Sequence, residues 1–251
     1  DDQIDILVDL GGHTGQNRMP LFGLKPAPVQ VAYIGYPDTA GIQAMDYRIT
    51  DSWADPPWQP RWYSEELVHM PTGFLAYRPP GGLPDVAPLP ALKNGYITFG
   101  SFNATFKINP PLLDLWARIL AALPASRLLL KSRHIASRDN AARIAAAFAA
   151  RGVDPQRVET SRHLPSSREH LDLYNQIDIA LDTFPYHGAT TTCEALWMGA
   201  PVLTLAGNSH GSRVGVSLLT AGGLDDFIAR DPDDYLHRAL RADDDLPALA
   251  D

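Results

Sequence analysis

The segment Asp182-Thr183-Phe184-Pro185-Tyr186-His187-Gly188-Ala189-Thr190-Thr191-Thr192-Cys193-Glu194 concentrates groups suited to an anionic ligand. Gly188 admits close backbone approach. The threonines bring hydroxyls and, at a helix start, free N–H groups where phosphate is favoured. Glu194, one turn further on, can accept from the two hydroxyls of a ribose. A plainer reading stands beside this one. Thr191-x-x-Glu194 has the spacing of a capping box, which alone would account for both residues. The spacing leaves the two readings open.

A second group is Phe102-Asn103-Ala104-Thr105-Phe106-Lys107. Lys107 lies just past an apolar run, where a point charge can pair with a diphosphate; the alternative is a solvated surface lysine. His170 can stack on or hydrogen-bond a base, or decorate a helix surface. His13, His187 and His210 fall in loops and are open to acid–base roles, as is Asp9 at the end of the first apolar run. Several chemistries are absent as motifs. There is no GxGxxG after a strand, no GxxxxGK[ST], no HExxH and no GxSxG. Asp51-Ser52-Trp53-Ala54-Asp55 lacks the carboxylate cluster of a metal site. One cysteine, Cys193, excludes an internal disulfide framework.

Elements that would position these groups alternate between strand and helix. Apolar runs at Ile4 to Leu10, Val29 to Ile34 and Tyr47 to Thr50 end at Gly11, Gly35 and Asp51, with a short helix predicted over Arg18 to Leu24. Five βα units follow. The strands are predicted at Tyr96–Gly100, Arg127–Lys131, Arg157–Thr160, Ile177–Leu181 and Val202–Leu205. The helices are predicted at Pro110–Ala122 (Asn109 as N-cap), Ser137–Ala150, Arg168–Gln176, Thr191–Met198 and Ser212–Leu219. That succession predicts a doubly wound parallel sheet, whose ligands lie beyond the carboxyl ends of its strands. The rule selects loops Gly11–Thr14, Gly35–Gly41, Phe102–Lys107, His163–His170, Asp182–Thr192 and Ala206–Arg213. Residues 78–95 hold five prolines and three glycines and read as a linker between two lobes, or as a long surface loop. The tail from Arg241 reads as acidic and frayed.

The 251 residues carry a net charge of −8, with 45% hydrophobic and 20% charged residues, so a globular protein is expected and a nucleic-acid coat is not. No run reaches the roughly 20 apolar residues of a membrane helix. These features lead to the expectation of a cytoplasmic protein. Asp1 in place of Met, with an apolar run beginning at Ile4, reads as a fragment that starts inside a domain.

Taken together, the motifs resemble the bacterial SPINDLY-like members of the O-linked N-acetylglucosamine transferase family. The residues that carry the resemblance are Leu24-Lys25-Pro26-Ala27-Pro28-Val29-Gln30, Gly35-Tyr36-Pro37-Asp38-Thr39-Ala40-Gly41 and Tyr63-Ser64-Glu65-Glu66. They continue with Phe102 to Ile108, Leu181 to Tyr186, Gly188 to Thr192, Glu194 to Val202 and Ser212-Arg213-Val214. The resemblance implies an α/β fold of the GT-B type. Two Rossmann-like lobes would be present: residues 1–90 the later part of an incomplete first lobe plus linker, and residues 91–251 the nucleotide-sugar-binding lobe. It implies an inverting, metal-independent transfer from UDP-N-acetylglucosamine to Ser or Thr hydroxyls of proteins, with no cofactor beyond that donor and with helical repeats upstream. Lys107 matches the family lysine at the diphosphate and His170 the histidine beside the uracil. Gly188, Ala189, Thr190 and Thr191 match the phosphate segment, and Glu194 an acidic residue at the ribose. Ala104, Ser167 and Ala189 stand where family members often carry glutamine, lysine and histidine. Readings that share the fold are an N-glucosyltransferase, an O-fucosyltransferase using a GDP-sugar, and a non-catalytic nucleotide-sugar module. A structural α/β interaction domain would leave Lys107 on the surface.

Overall fold

The computed structural model describes residues 3–58, 62–133, 135, 137–162, 164–244 and 246–250. His163, named above at the edge of a candidate loop, lies outside the described residues.

The first sheet contains β1 (Ile6–Asp9), β2 (Val29–Ala32), β3 (Tyr47–Asp51) and β4 (Glu66–Met70), all parallel in that order, with α1 (Met19–Gly23) crossing between β1 and β2. Its core is small: Met19, Phe22, Ala32, Ala40 and Met45. Polar clamps supplement it. The Gln30 side-chain amide donates to the carbonyls of Phe22 and Ala44, and the Arg48 guanidinium donates to those of Tyr36 and Asp38. Both side chains are buried, so these bonds satisfy groups that would otherwise be costly.

The second sheet contains β5 (Thr98–Ser101), β6 (Arg127–Lys131), β7 (Val158–Ser161), β8 (Ile179–Leu181), β9 (Val202–Leu205) and β10 (Ile228–Ala229). Its strands are parallel in the order β10-β9-β8-β5-β6-β7. The order reverses between β5 and β8, which makes that junction the switch point of a doubly wound sheet. The helices between are α2 (Ala91–Asn94), α3 (Pro110–Ala122), α4 (Arg138–Ala149), α5 (Ser167–Asp172), α6 (Thr190–Trp197), α7 (Val214–Ala221), α8 (Pro232–Asp244) and α9 (Leu246–Ala250). Alternation along each strand feeds both faces. Leu128 and Leu130 join Trp116, Ile119 and Phe148 under α3 and α4, whereas Leu129 joins Leu171, Tyr174 and Ala195 on the other face. A strand buried on both sides reads as an unbroken apolar run, which is why these strands are visible in the sequence.

Local signals set the helix starts. Asn109 accepts from the Leu112 N–H, with prolines in the first turn of α3. Ser166 and Glu169 form a reciprocal capping box at α5. Two expectations fail. The tail is not frayed: α8 continues to Asp244, buries Tyr235 and Ala239, and Leu246 and Leu249 of α9 pack on the same core. The Thr191–Glu194 capping box does not form. α6 begins at Thr190 with Ala189 as its N-cap residue and no side-chain cap, so Thr191 is already helical.

Residues 71–90 cross from the first sheet to the second without a regular element. Their later part is tied to the second sheet's helices. The Arg168 guanidinium donates to the carbonyls of Gly82 and Leu83, the Asn175 amide donates to the Asp85 carbonyl, and the Ala87 N–H donates to Asn175.

Candidate functional site

The loops leaving β5 and β8 meet at the switch point. The β5 loop turns through Thr105–Lys107 as a short 3-10 helix and carries Lys107 inward. The Lys107 Nζ donates to the His187 carbonyl at 2.6 Å and lies 3.8 Å from the centre of the Tyr186 ring. It is therefore no solvated surface lysine. Burial pushes its pKa down, while the carboxylate of Asp182 pulls it back up.

Asp182, at the end of β8, organises the loop beneath. One carboxylate oxygen accepts from the N–H groups of Thr183 (2.8 Å) and Gly188 (2.7 Å), and the other accepts from the Thr204 hydroxyl (2.8 Å). The Phe184–Pro185 peptide is cis, and the Asn109 amide donates to the Phe184 carbonyl at 2.6 Å. His187 is buried. Its Nδ1 accepts from the Gly215 N–H, so its Nε2 donates to the Leu205 carbonyl. Burial lowers its pKa, and the pairing leaves it no role toward a ligand. Gly188 is required for a reason other than ligand approach: a Cβ there would stand 2.4 Å from the Thr191 hydroxyl and 3.0 Å from Asn103. The Thr191 hydroxyl donates to Asn103, and the Thr192 hydroxyl to the Gly188 carbonyl. Thr190 is exposed at the mouth of α6, and Ala189 packs beside Ala54, Phe74 and Val214. The uncapped first turn of α6 thus faces the β5 loop with open N–H groups.

One turn along α6, Glu194 accepts from the His170 Nε2 at 2.9 Å and from the Tyr174 hydroxyl at 3.4 Å. The other nitrogen of His170 lies 2.8 Å from the Lys131 Nζ. A charged lysine only donates, so Nδ1 accepts and Nε2 carries the proton. Phe102 and Tyr174 flank the imidazole at ring-centre distances of 6.2 and 5.7 Å. The candidate residues thus fall into two linked groups near the switch point: Lys107 with the loop and helix start Gly188, Ala189, Thr190 and Thr191, and His170 of α5 with Glu194 of α6. Asn103, from the group named with Lys107, belongs with them, as do Lys131 and Tyr174, which the sequence does not single out. Lys131 ends a strand, the same position rule that marked the loop of Lys107.

The remaining candidates serve the scaffold. Asp9 accepts from the N–H groups of Gly11 and Gly12, and His13 bonds the Ala40 carbonyl. His210 is buried against Asp55. Cys193 is buried, and its thiol is pushed up to about 11 by that burial and by Glu194. A cavity of about 700 Å³ opens at the amino ends of β5 and β6 beside Lys93 and Arg127, on the edge opposite these groups. No group of three or more His, Cys, Asp and Glu among the described residues could hold a metal ion, and no helix among them is long and apolar enough to cross a membrane.

The chain is similar to known proteins over its whole length. A tomato (Solanum lycopersicum) protein described as a probable UDP-N-acetylglucosamine–peptide N-acetylglucosaminyltransferase SPINDLY is 45% identical over 250 residues, covering 100% of this chain and 27% of its own length. Its counterpart from Arabidopsis thaliana is 46% identical with the same coverage. The solved structure of a mutant O-GlcNAc transferase from Thermobaculum terrenum superposes with a TM-score of 0.94 at 42% identity, over 99% of this chain and 47% of that one. The chain thus spans about a quarter of the length of the curated relatives it matches. The two parallel α/β sheets are those of the GT-B fold. The model of glycosyl transferase family 41 matches residues 1–77 and 89–251, and the chain belongs to that family.

Proposed function

We propose that this chain binds a nucleotide-sugar and supplies the leaving-group side of an inverting, metal-independent transfer of N-acetylglucosamine from UDP-N-acetylglucosamine to Ser or Thr hydroxyls of proteins. Residues 1–90, linker included, act as part of one lobe and residues 91–251 as the donor-binding lobe. The carrying observation is the convergence of the Lys107 ammonium and the uncapped start of α6 on one crevice, with Lys131–His170–Glu194 a turn away. As the acceptor oxygen attacks the anomeric carbon, its hydroxyl proton passes to a base supplied by the substrates or by solvent, the bond to the diphosphate breaks and its electron pair goes to the diphosphate oxygen. Lys107 and the N–H groups of Thr190 and Thr191 meet that charge. Glu194 takes the ribose hydroxyls, and His170 lies beside the base. His187 and His210 are closed to the role of general base by burial. A cytoplasmic place of action accords with a single buried cysteine.

The test is calorimetric binding of UDP and GDP to the full-length protein, followed by transfer to a protein acceptor, for the wild type and Lys107→Ala. Expected are a preference for UDP and a fall in kcat of about 100-fold in the variant. Preference for GDP overturns the donor assignment, and unchanged turnover removes Lys107 from the reaction.

A further inference from the structure

We propose that Asp55 and His210 form a positioning pair that holds Lys107 in place from the other lobe. The inference rests on the reading of Lys107 given above. Asp55 follows β3 in the first sheet and is 4% exposed; His210 opens the turn His210–Ser212 after β9 and is 3% exposed. The His210 Nδ1 donates to Asp55 at 2.7 Å. The hydroxyls of Thr50 and Tyr63 donate to the same carboxylate, and Phe74 packs on the imidazole with ring centres 4.9 Å apart. The carboxylate is thus fixed on three sides, and the imidazole has one direction in which to donate.

The next residue continues the path. The Gly211 carbonyl accepts from the His187 N–H at 2.9 Å, and the His187 carbonyl accepts from Lys107 at 2.6 Å. His187 cannot swing away, because both its ring nitrogens are engaged, at Leu205 and Gly215. Three hydrogen bonds and two stretches of backbone therefore connect a carboxylate of the first lobe to the ammonium of the second. A buried carboxylate–imidazole hydrogen bond gains little over well-packed apolar residues in stability, but it is directional. Here the direction fixes the Gly211 carbonyl, and through it His187, whose carbonyl holds the Lys107 ammonium. Arg213, which donates to the Trp53 carbonyl, and Ser217, which donates to Asp51, tie the same two elements together nearby. The Asp55–His210 bond is distinct in leading to the loop that holds the ammonium.

The experiment uses the full-length protein with Asp55→Asn, His210→Gln and His210→Asn. The last keeps an amide donor near the place of Nδ1 and serves as the conservative rescue. Trace acetylation with acetic anhydride, read by mass spectrometry, reports how firmly Lys107 is held, with exposed Lys93 as the internal control. Expected is a rise of about tenfold in Lys107 labelling for Asp55→Asn and His210→Gln, near wild-type labelling for His210→Asn, and no change at Lys93. Transfer kinetics should show kcat falling about tenfold, the size of a misplaced catalytic group, with the donor KM held within about twofold. Because the pair acts through Lys107, adding Asp55→Asn to Lys107→Ala should cost no further turnover. Unchanged Lys107 labelling in a folded variant, or an undiminished effect of Asp55→Asn in the Lys107→Ala background, overturns the inference. If Asp55→Asn does not fold, His210→Gln and Tyr63→Phe carry the same labelling test. If the wild type transfers nothing, or Lys107→Ala transfers normally, the proposed function fails while the labelling result still judges the pair.

Discussion

Replacing Asp182 by alanine should open the loop between β8 and α6 while leaving the sheet below intact. Asp182 is 3% exposed and accepts three hydrogen bonds, from the Thr183 and Gly188 N–H groups and the Thr204 hydroxyl. The Thr204 hydroxyl has a second acceptor in the His187 Nδ1 at 3.3 Å, so its loss is cushioned. The two amides have none, and an orphaned buried donor costs about 1–3 kcal/mol, more when its lost partner was charged. Local opening of residues 182–188 should therefore become easier by about 4 kcal/mol, close to a thousandfold in the opening constant. Asp182→Asn keeps an oxygen for both amides but loses the charge and sets an NH2 donor against the Thr204 hydroxyl, which must turn to accept, so about 1–2 kcal/mol is expected. Amide hydrogen exchange on the full-length protein, read on peptides spanning Thr183 and Gly188, measures this directly. A global melt would not, because two lobes need not unfold as one. Exchange that stays within about threefold of wild type in Asp182→Ala would refute the assignment of Asp182 as the organiser of this loop.

Acid should reveal Asp55. Burial raises its pKa, but the hydrogen bond and charge of His210, with the Thr50 and Tyr63 hydroxyls, bring it down from 3.8 to about 2. A depressed carboxylate stabilises the fold above its unfolded value and loses that contribution as the pH falls toward the folded one. The stability gap between wild type and Asp55→Asn should thus be about 2 kcal/mol above pH 4 and close between pH 4 and pH 2; a gap independent of pH in chemical denaturation would contradict it. Gly35→Ala should be severely destabilising, because its Cβ would stand 1.8 Å from the Leu10 carbonyl oxygen, which is backbone and cannot rotate aside. Gly23→Ala, with nothing within 4 Å of its Cβ, is the control; melting temperatures lowered equally in both would refute the argument.

The second sheet was the most legible part of the chain, because β6, β8 and β9 are buried on both faces and their apolar runs are continuous. β4 escaped because its residues alternate between exposed and half-buried, and Glu66 and His69 interrupt the apolar pattern. α8 escaped because five acidic residues between Asp231 and Asp244 masked the buried stripe of Tyr235 and Ala239. At the site, loop positions were readable from the rule about strand ends, but their pairings were not. Thr191 and Glu194 have capping-box spacing, yet the helix starts two residues too early for it. The true box at Ser166–Glu169 has the same pattern and passed unnoticed. Which carboxylate would meet which histidine across 155 residues, as Asp55 meets His210, is decided by the approach of two sheets and leaves no local trace.

The crossing between the sheets has a consequence for chain length. Residues 82–87 are fastened to the second lobe by Arg168 and Asn175, and Phe74 is fastened to the first by its N–H bond to Asp51. Between these anchors, Arg78–Gly81 make no hydrogen bond with the described residues, and Gly81 and Gly82 have open space around them. Extra sequence spliced in at that point would leave both anchors and the crevice untouched, at the slowly growing entropic cost of a longer loop. The fold therefore has a natural docking port for an additional module, where a reporter or a whole domain can be inserted while the two lobes keep their grip on each other.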